Sequence, residues 1–319
     1  MKIIYSAGNR IGANTQLARF LDNIDETKHE VKTAAYLKSS YSLPAIDWNL
    51  NAIYKNTPNN IKLYSLDNDK YKTDITTQLL NDVAEFNPDL IICDNEHIFA
   101  LIAKDMGVPL WYCSPMLLSE GIVWDSAKKI NYSYFVDLES IDKRGIFPEA
   151  DKYLIYSPFC DLKKRPELKS YRDDDWNEIC KYNWVRPYYN KVNGNVFINE
   201  TSRLLELNKT IKYIDLKEYY LTDGNTDNVA DAIYSKKKII ITPSVKNREA
   251  MLNSIVLHKY KIGIDIGQVE LMDRFCLDEI ENAMGFNLKR IELQKSNNKQ
   301  LHEIIDEFDK SLGGIDIIE

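Results

Sequence analysis

Several features are missing from this chain, and each absence closes a class of explanation. No run of residues approaches the roughly 18 apolar positions needed to cross a bilayer as a helix. The N-terminal MKIIYSAG is apolar for only a few residues before Gly, Asn and Arg take over. That is too short for a secretory signal and reads as a first buried strand, so an intracellular, cytoplasmic protein is expected. Cysteine is sparse: Cys93, Cys113, Cys160, Cys180 and Cys276 are odd in number, widely spaced and without a CxxC pair. Neither a zinc site nor a disulfide framework is expected from them. His29, His97, His258 and His302 form no HExxH or HxH pattern, so no metal site is expected. Positive charge is also short. A net charge of −7 argues against a protein that coats nucleic acid non-specifically, although a local basic groove stays open. No repeat and no long low-complexity segment interrupts the chain.

What remains is a globular composition, 44% hydrophobic and 28% charged, over 319 residues, enough for two domains. The richness in Asn, Lys, Ile and Tyr is that of AT-rich genomes, viral ones among them, where the location would be a host cytoplasm. The opening MKIIYSAG, the loop GNRIGANT and TQLARFLDNI read as strand, Gly-bearing loop and helix, with Leu17, Phe20 and Leu21 on one helix face. This is the first unit of a doubly wound α/β domain. Gly8 and Gly12 do not complete GxGxxG, so the loop reads equally as a tight turn or as a ligand approach.

HEVKTAAYL reads as the second strand. A short helix is expected near Trp48–Tyr54, and KTDITTQLLNDVAEF is an amphipathic helix. Leu90–Cys93 is a buried strand, Ile98–Met106 a helix stopped by Gly107, and Val108–Cys113 the next parallel strand. Asp94, Glu96 and His97 therefore fall at the carboxyl end of a parallel strand, where such folds bind ligands. They are candidates for a general base that takes a proton from an attacking hydroxyl. The competing reading is helix capping, with Asp94 or Asn95 as N-cap and Glu96 in the first turn. DKYLIYSPFC reads as a strand. The charged LKKRPELKSYRDDDWNEICK reads as the crossing between domains, its Asp173-Asp174-Asp175 run solvated. In WVRPYYNKVNG, Trp184, Tyr188 and Tyr189 beside Arg186 read either as a base-stacking cluster or as packing between domains.

The most informative stretch is Tyr219–Ser254. A short strand enters the turn TDGNTDN, the helix NVADAIYSK follows, and KKIIITP is a second strand closed by Pro243. A second helix follows, with Asn247 as N-cap and Met251, Leu252, Ile255 and Val256 as its apolar stripe. Such a unit presents loop amides and a helix N-terminus to an anion at the sheet's carboxyl edge. Gly224, Asn225 and Thr226 would face a diphosphate and Asp231 a ribose. Arg248, Glu249 and Asn253 would line a sugar site, Glu249 and Asn253 sharing a face at i, i+4. Each helix also reads simply as one with a polar outer face.

This stretch resembles the donor-binding signature of GT-B glycosyltransferases, in the group that includes the peptidoglycan N-acetylglucosaminyltransferase and the macrolide and plant sugar transferases. That signature is a strand into a Gly turn, a helix bearing a carboxylate, a strand ending in Pro, then Glu-Gln-x-x-Asn-Ala. GANTQLARFL resembles the family's N-terminal Gly loop and helix, and NPDLIICDNEHIFALIAKDMGVP its Pro-Asp strand and acceptor-side helix. The resemblance implies an α/β fold of two Rossmann-like domains facing a central cleft, an acceptor-side domain at 1–160 and a donor domain at 161–319. It implies transfer of a sugar from a nucleoside diphosphate, foremost a UDP-sugar, to a hydroxyl acceptor, inverting and without metal or other cofactor. No Asp-x-Asp lies in the donor stretch. By position, Gly12 and Asn14 fall in the N-terminal loop, Gly224 on the diphosphate side, Asp231 at the ribose-binding Glu, and Glu249 and Asn253 in the sugar-holding motif. Ala13 stands where many members have His, Gln16 where Arg is usual, Ala250 in place of the Gln, and Ser235-Lys236-Lys237 in place of Gly-Lys-Pro. With Ala13 unable to act, the proton would pass to Asp94, Glu96 or His97. The acceptor candidates are a small molecule, a glycan and a hydroxymethylated base of phage DNA. A nucleotide-sugar 2-epimerase and a non-catalytic nucleotide-sugar-binding protein are the alternatives.

Overall fold

A computed structural model describes residues 1–9, 11–36, 46–51, 74–117, 148–162, 182–191, 219–241, 243, 247–260, 262–265 and 300–313. The first half is built from β1 (Lys2–Ala7), α1 (Ile11–Leu21), β2 (Glu30–Ala35), β3 (Trp48–Asn49), α2 (Asp74–Phe86), β4 (Leu90–Asp94), α3 (Ile98–Met106), β5 (Leu110–Cys113), β6 (Lys152–Tyr156) and β7 (Tyr182–Val185). The second carries β8 (Tyr219–Thr222), α4 (Thr226–Tyr234), β9 (Lys238–Ile241), α5 (Arg248–Lys259) and β10 (Gly263–Asp265). A last helix, α6 (Gln300–Gly313), follows.

The β-branched and aromatic runs pair as parallel strands. The first sheet has the order β3-β2-β1-β4-β5-β6-β7 and the second β10-β9-β8. The order reverses direction beside β1, so the carboxyl ends of β1 and β4 flank the switch point where a doubly wound sheet opens a crevice. Both faces of the first sheet are covered at its centre, which is why β4 is buried along its whole length. Ile4, Ile91, Cys93, Tyr112 and Ile155 face α2 and α3, in a core that runs on into Tyr220, Val229, Ile239 and Leu252 of the second half. Ile3, Tyr5, Ile92, Trp111, Leu154 and Val185 face α1 and α6.

The expected helix Ile98–Met106 is found, with Gly107 at its C-cap in the left-handed region (φ 66°). Trp48–Asn49 is an edge strand and not the start of a helix, because its backbone pairs with Ala34 and Ala35. Helical residues begin only at Leu50. The readings placed on 163–181, with the aspartate run, and on 118–147, 192–218 and 266–299 lie outside the described residues.

The first sheet extends past residue 160. Strand β7 pairs with β6 through Tyr153–Tyr182 and Tyr156–Val185. Helix α6, from the far end of the chain, returns to the same sheet. Its first residue imitates a further strand: Gln300 Nε2 donates to the Trp184 carbonyl at 3.1 Å, and Gln300 Oε1 accepts from the Arg186 amide at 3.1 Å. His302 stacks on Phe20 with ring centroids 5.3 Å apart, and Phe308 lies 5.3 Å from Trp111. Ile305 of α6 is fully buried in this layer. Ile305→Ala is expected to lower unfolding free energy by about 3 kcal/mol. Urea denaturation followed through the tryptophans checks this, as a fall in midpoint at unchanged slope.

Candidate functional site

The turn after β8 is shaped by its own side chains. Thr222 Oγ1 accepts the Gly224 amide at 3.0 Å, and Asp223 accepts the Asn225 amide at 3.2 Å and Asn225 Nδ2 at 2.7 Å. Gly224 has φ +92°, and a Cβ there would lie 2.5 Å from Ile241 Cδ1 and 3.0 Å from Ala250 Cβ. The turn thus lies flat on β9 and α5, a position that needs a residue without a side chain.

Helix α4 then starts at Thr226. Its first amide donates to Glu249 Oε1 at 2.9 Å, so a carboxylate from α5 sits at the positive end of α4. Asn253, one turn along α5, donates to the Gly224 carbonyl at 2.8 Å and to Thr226 Oγ1 at 3.1 Å. Asn247 caps α5, as its position before the helix predicts, by accepting the Ala250 amide at 3.1 Å, and its Nδ2 reaches Asn225 Oδ1 at 2.8 Å. The structure therefore brings Gly224, Asn225, Thr226, Glu249 and Asn253 into one network. Arg248 opens α5, and its side chain lies outside the described ones. In this conformation Glu249 occupies the helix end that a phosphate would seek.

Asp231 and Gly12 do something different from what their places in the sequence predict. Both Asp231 oxygens are held by Arg19, at 3.1 Å from Nη1 and 3.0 Å from Nη2, and Oδ1 also accepts the Asn190 amide at 2.8 Å. The carboxylate joins the two halves instead of facing open space for a ribose. At Gly12 a Cβ would lie 2.5 Å from Asp227 Oδ2, so its missing side chain admits α4 rather than a ligand. Gln16 completes the contact by donating to Asp227 Oδ1 and to the Tyr188 carbonyl, and by accepting the Tyr188 amide at 2.7 Å. Gly12, Gln16 and Arg19 form one stripe of α1, and Asp227 and Asp231 one stripe of α4. Tyr189 stacks on Tyr234 of α4 with centroids 4.2 Å apart and so packs between the halves, while Tyr188 packs against Phe20 and His302 on the first sheet. Sequence reasoning missed Asp227 and Arg19, and noted Gln16 only as standing where the family usually has Arg. The signal was there as Gln16 and Arg19 at i, i+3 on one helix and Asp227 and Asp231 at i, i+4 on another, a donor face and an acceptor face.

Burial raises the carboxyls of this contact. Asp227 is pushed up to about 8, first by desolvation and further by Glu249 and Asp231, with Arg19 and Gln16 opposing. Asp231 is raised by desolvation, partly offset by Arg19.

At the first sheet's carboxyl edge the three base candidates separate. Asp94 ends β4, buried, with Tyr5 Oη at 3.4 Å. Glu96 is the cap of α3: it accepts the Ile98 amide at 2.7 Å, the Phe99 amide at 2.8 Å and Ser6 Oγ at 3.0 Å. Its carboxyl is raised by burial, with these bonds opposing. His97 is the least buried of the three. Its side chain makes no cap bond, its ring lies 5.9 Å from that of Tyr112, and burial lowers its pKa. Asn14 is buried and donates to the Tyr36 carbonyl at 3.2 Å, which ties α1 to the end of β2. Ala13 is fully buried in the layer between α1 and the sheet, where a histidine ring would not fit. Among the described residues no cluster of His, Cys, Asp and Glu could hold a metal ion, and no helix is long and apolar enough to cross a membrane.

Comparison with solved structures identifies the architecture. The chain is similar to a UDP-glucosyltransferase from Polygonum tinctorium capable of glucosylating indoxyl, at 14% identity and TM-score 0.57, covering 97% of this chain and 98% of that one. It is similar to Phytolacca americana UGT2 complexed with UDP-2-fluoro-glucose and pterostilbene, at 11% identity and TM-score 0.53, covering 97% and 99%. It is also similar to S. aureus MnaA in complex with UDP, at 11% identity and TM-score 0.51, covering 98% and 97%. The fold is GT-B, two Rossmann-like α/β halves. No family model matches the chain, and no curated protein does.

The Arg19–Asp231 pair is nearly enclosed, with side chains 13% and 11% exposed. Arg19→Ala leaves a buried carboxylate without its cation and is expected to cost about 3 kcal/mol in stability. Arg19→Lys, which keeps the charge but not the two-point fork, is expected to cost less. Chemical denaturation of the two variants checks the order. Glu96→Ala, which strips the cap of α3, is expected to cost about 2 kcal/mol by the same measurement.

Proposed function

We propose that this chain is a glycosyltransferase that moves a sugar from a nucleoside diphosphate, foremost UDP, to a hydroxyl acceptor. The observation that carries this reading is a positive-φ glycine turn and a helix N-terminus at the carboxyl edge of the second sheet, within a GT-B fold followed along nearly the whole chain. Neighbours with that fold were solved with UDP or a UDP-sugar bound, which supports the choice of donor.

In the proposed reaction the diphosphate settles at the N-terminus of α4 and displaces Glu249 from the Thr226 amide. Released, Glu249 turns with Asn253 to the hydroxyls of the donor sugar. The acceptor oxygen attacks the anomeric carbon from the face opposite the diphosphate, and the bond from that carbon to the phosphate oxygen breaks with inversion. The electron pair leaves with the diphosphate, whose charge is held by helix and loop amides. The reading as metal-independent rests on the lack of Asp-x-Asp between Tyr219 and Ser254. The acceptor's proton passes to His97. Its lowered pKa keeps the imidazole neutral at pH 7, and Glu96, committed to the cap of α3, is left aside.

The test is a panel of labelled UDP-, GDP- and TDP-sugars offered with small hydroxyl acceptors, glycans and hydroxymethylated DNA. A glycosidic product from one donor supports the reading; binding without any product over the panel leaves a nucleotide-sugar-binding protein. His97→Ala is expected to lower turnover by about 10²-fold with donor affinity within about twofold. In the wild type, turnover is expected to fall as pH drops through the lowered histidine pKa, because the protonated ring accepts no proton. Turnover equal to wild type in His97→Ala would remove it as the base.

A further inference from the structure

Asp227 has no part in the reaction just described, yet it sits where α4 of the second half meets α1 of the first. Its carboxyl lies against Gly12, in a gap that would not admit a methyl group, and it accepts a hydrogen bond from Gln16. The groups facing it are unbalanced in charge. Arg19 approaches from α1, Asp231 from its own helix, Glu249 from α5, and Tyr220 from the strand before α4. The one guanidinium among them is already engaged by both oxygens of Asp231. An ionised Asp227 would place a further negative charge beside Asp231 and Glu249, with no second cation among the described residues around it.

We propose that the α1–α4 contact is a proton-held latch: with Asp227 protonated the two helices stay locked at Gly12, and with it ionised α4 lifts from α1 and exposes the face that carries Asp227 and Asp231. This goes beyond the proposed reaction and stands whether or not the chain transfers a sugar.

The sign follows from linkage. Burial raises Asp227 to about 8 from its ordinary value of 3.8, so between these values the closed state holds a proton that the open state has released. The closed state is therefore favoured at acidic pH, loses ground as pH rises toward about 8, and levels off above.

Hydrogen–deuterium exchange of the ligand-free protein at pH 6, 7, 8 and 9, corrected for intrinsic rates, reads the latch directly. In the wild type, protection of amides in 11–21 and 226–234 is expected to fall by up to about tenfold per pH unit from 6 to 8, then to flatten. Protection in 90–94, within the first sheet, is expected to hold. In Asp227→Asn, which keeps the shape without the proton, protection at 11–21 and 226–234 should be level from pH 6 to 9. Protection in the wild type that is unchanged with pH overturns the latch, as does an equal fall in 90–94. If Asp227→Asn fails to fold, the titration of Asp227 by carboxyl-carbon NMR in the wild type decides: a midpoint in the ordinary carboxylate range overturns the proposal.

Discussion

A helix enclosed on nearly every side is tolerable only if each polar side chain on it finds a partner, and α4 is under that constraint. Thr226, Asp227, Val229, Ala230, Asp231, Ala232, Ile233 and Tyr234 are all buried. The apolar members pack on β8, β9 and α5. Asp227, Asp231 and Tyr234 turn to the first half, where Gln16, Arg19 and Asp161 meet them. A buried carboxylate without such partners would cost several kcal/mol. Polar contacts along one helix therefore help fix how the two halves meet, while the apolar core they share supplies the bulk of the driving force.

The same helix orients the candidate site. Because α4 is fixed from both sides, its N-terminus and the Gly224 turn stay at the edge of the second sheet. There Glu249 and Asn253 hold them in a shape that a phosphate could enter by replacing one carboxylate. A helix end already holding a carboxylate is of the kind suited to anions, and Glu249 keeps its first amide satisfied. Helix α5 extends the connection, since it also packs on the 115–117 turn that follows β5. A change at the Gly224 turn thus has a physical route through α5 to the turn that follows β5.

Much of this was legible in the chain. The alternation of short β-branched runs with amphipathic helices marks a doubly wound fold, and the Asn247 cap, the Gly107 stop and the stripe Met251–Val256 follow from local rules. That Gly224, Thr226, Glu249 and Asn253 meet was legible too, because they fall at the starts of two helices that follow adjacent parallel strands, β8 and β9. What local rules do not reach is contact between elements far apart in sequence. Nothing near Asp231 announces Arg19, more than two hundred positions away, and nothing near Gly12 shows that its bare Cα is filled by Asp227. The return of α6 to the first sheet is hidden for the same reason: Gln300 completes a strand edge whose residues are Trp184 and Arg186. Glu96 shows the opposite case, where a residue that could cap or catalyse is given its role by the backbone amides it reaches.

The central claim is that the Gly224 turn and the N-terminus of α4 receive a nucleoside diphosphate. Isothermal calorimetry comparing UDP with uridine on the wild-type protein tests it most directly, because the two differ only in the group assigned to that helix end. The account predicts that UDP binds at least about tenfold more tightly, the worth of a charge-assisted hydrogen bond or more. Equal affinity for the two, or no binding of either at millimolar concentration, would contradict it.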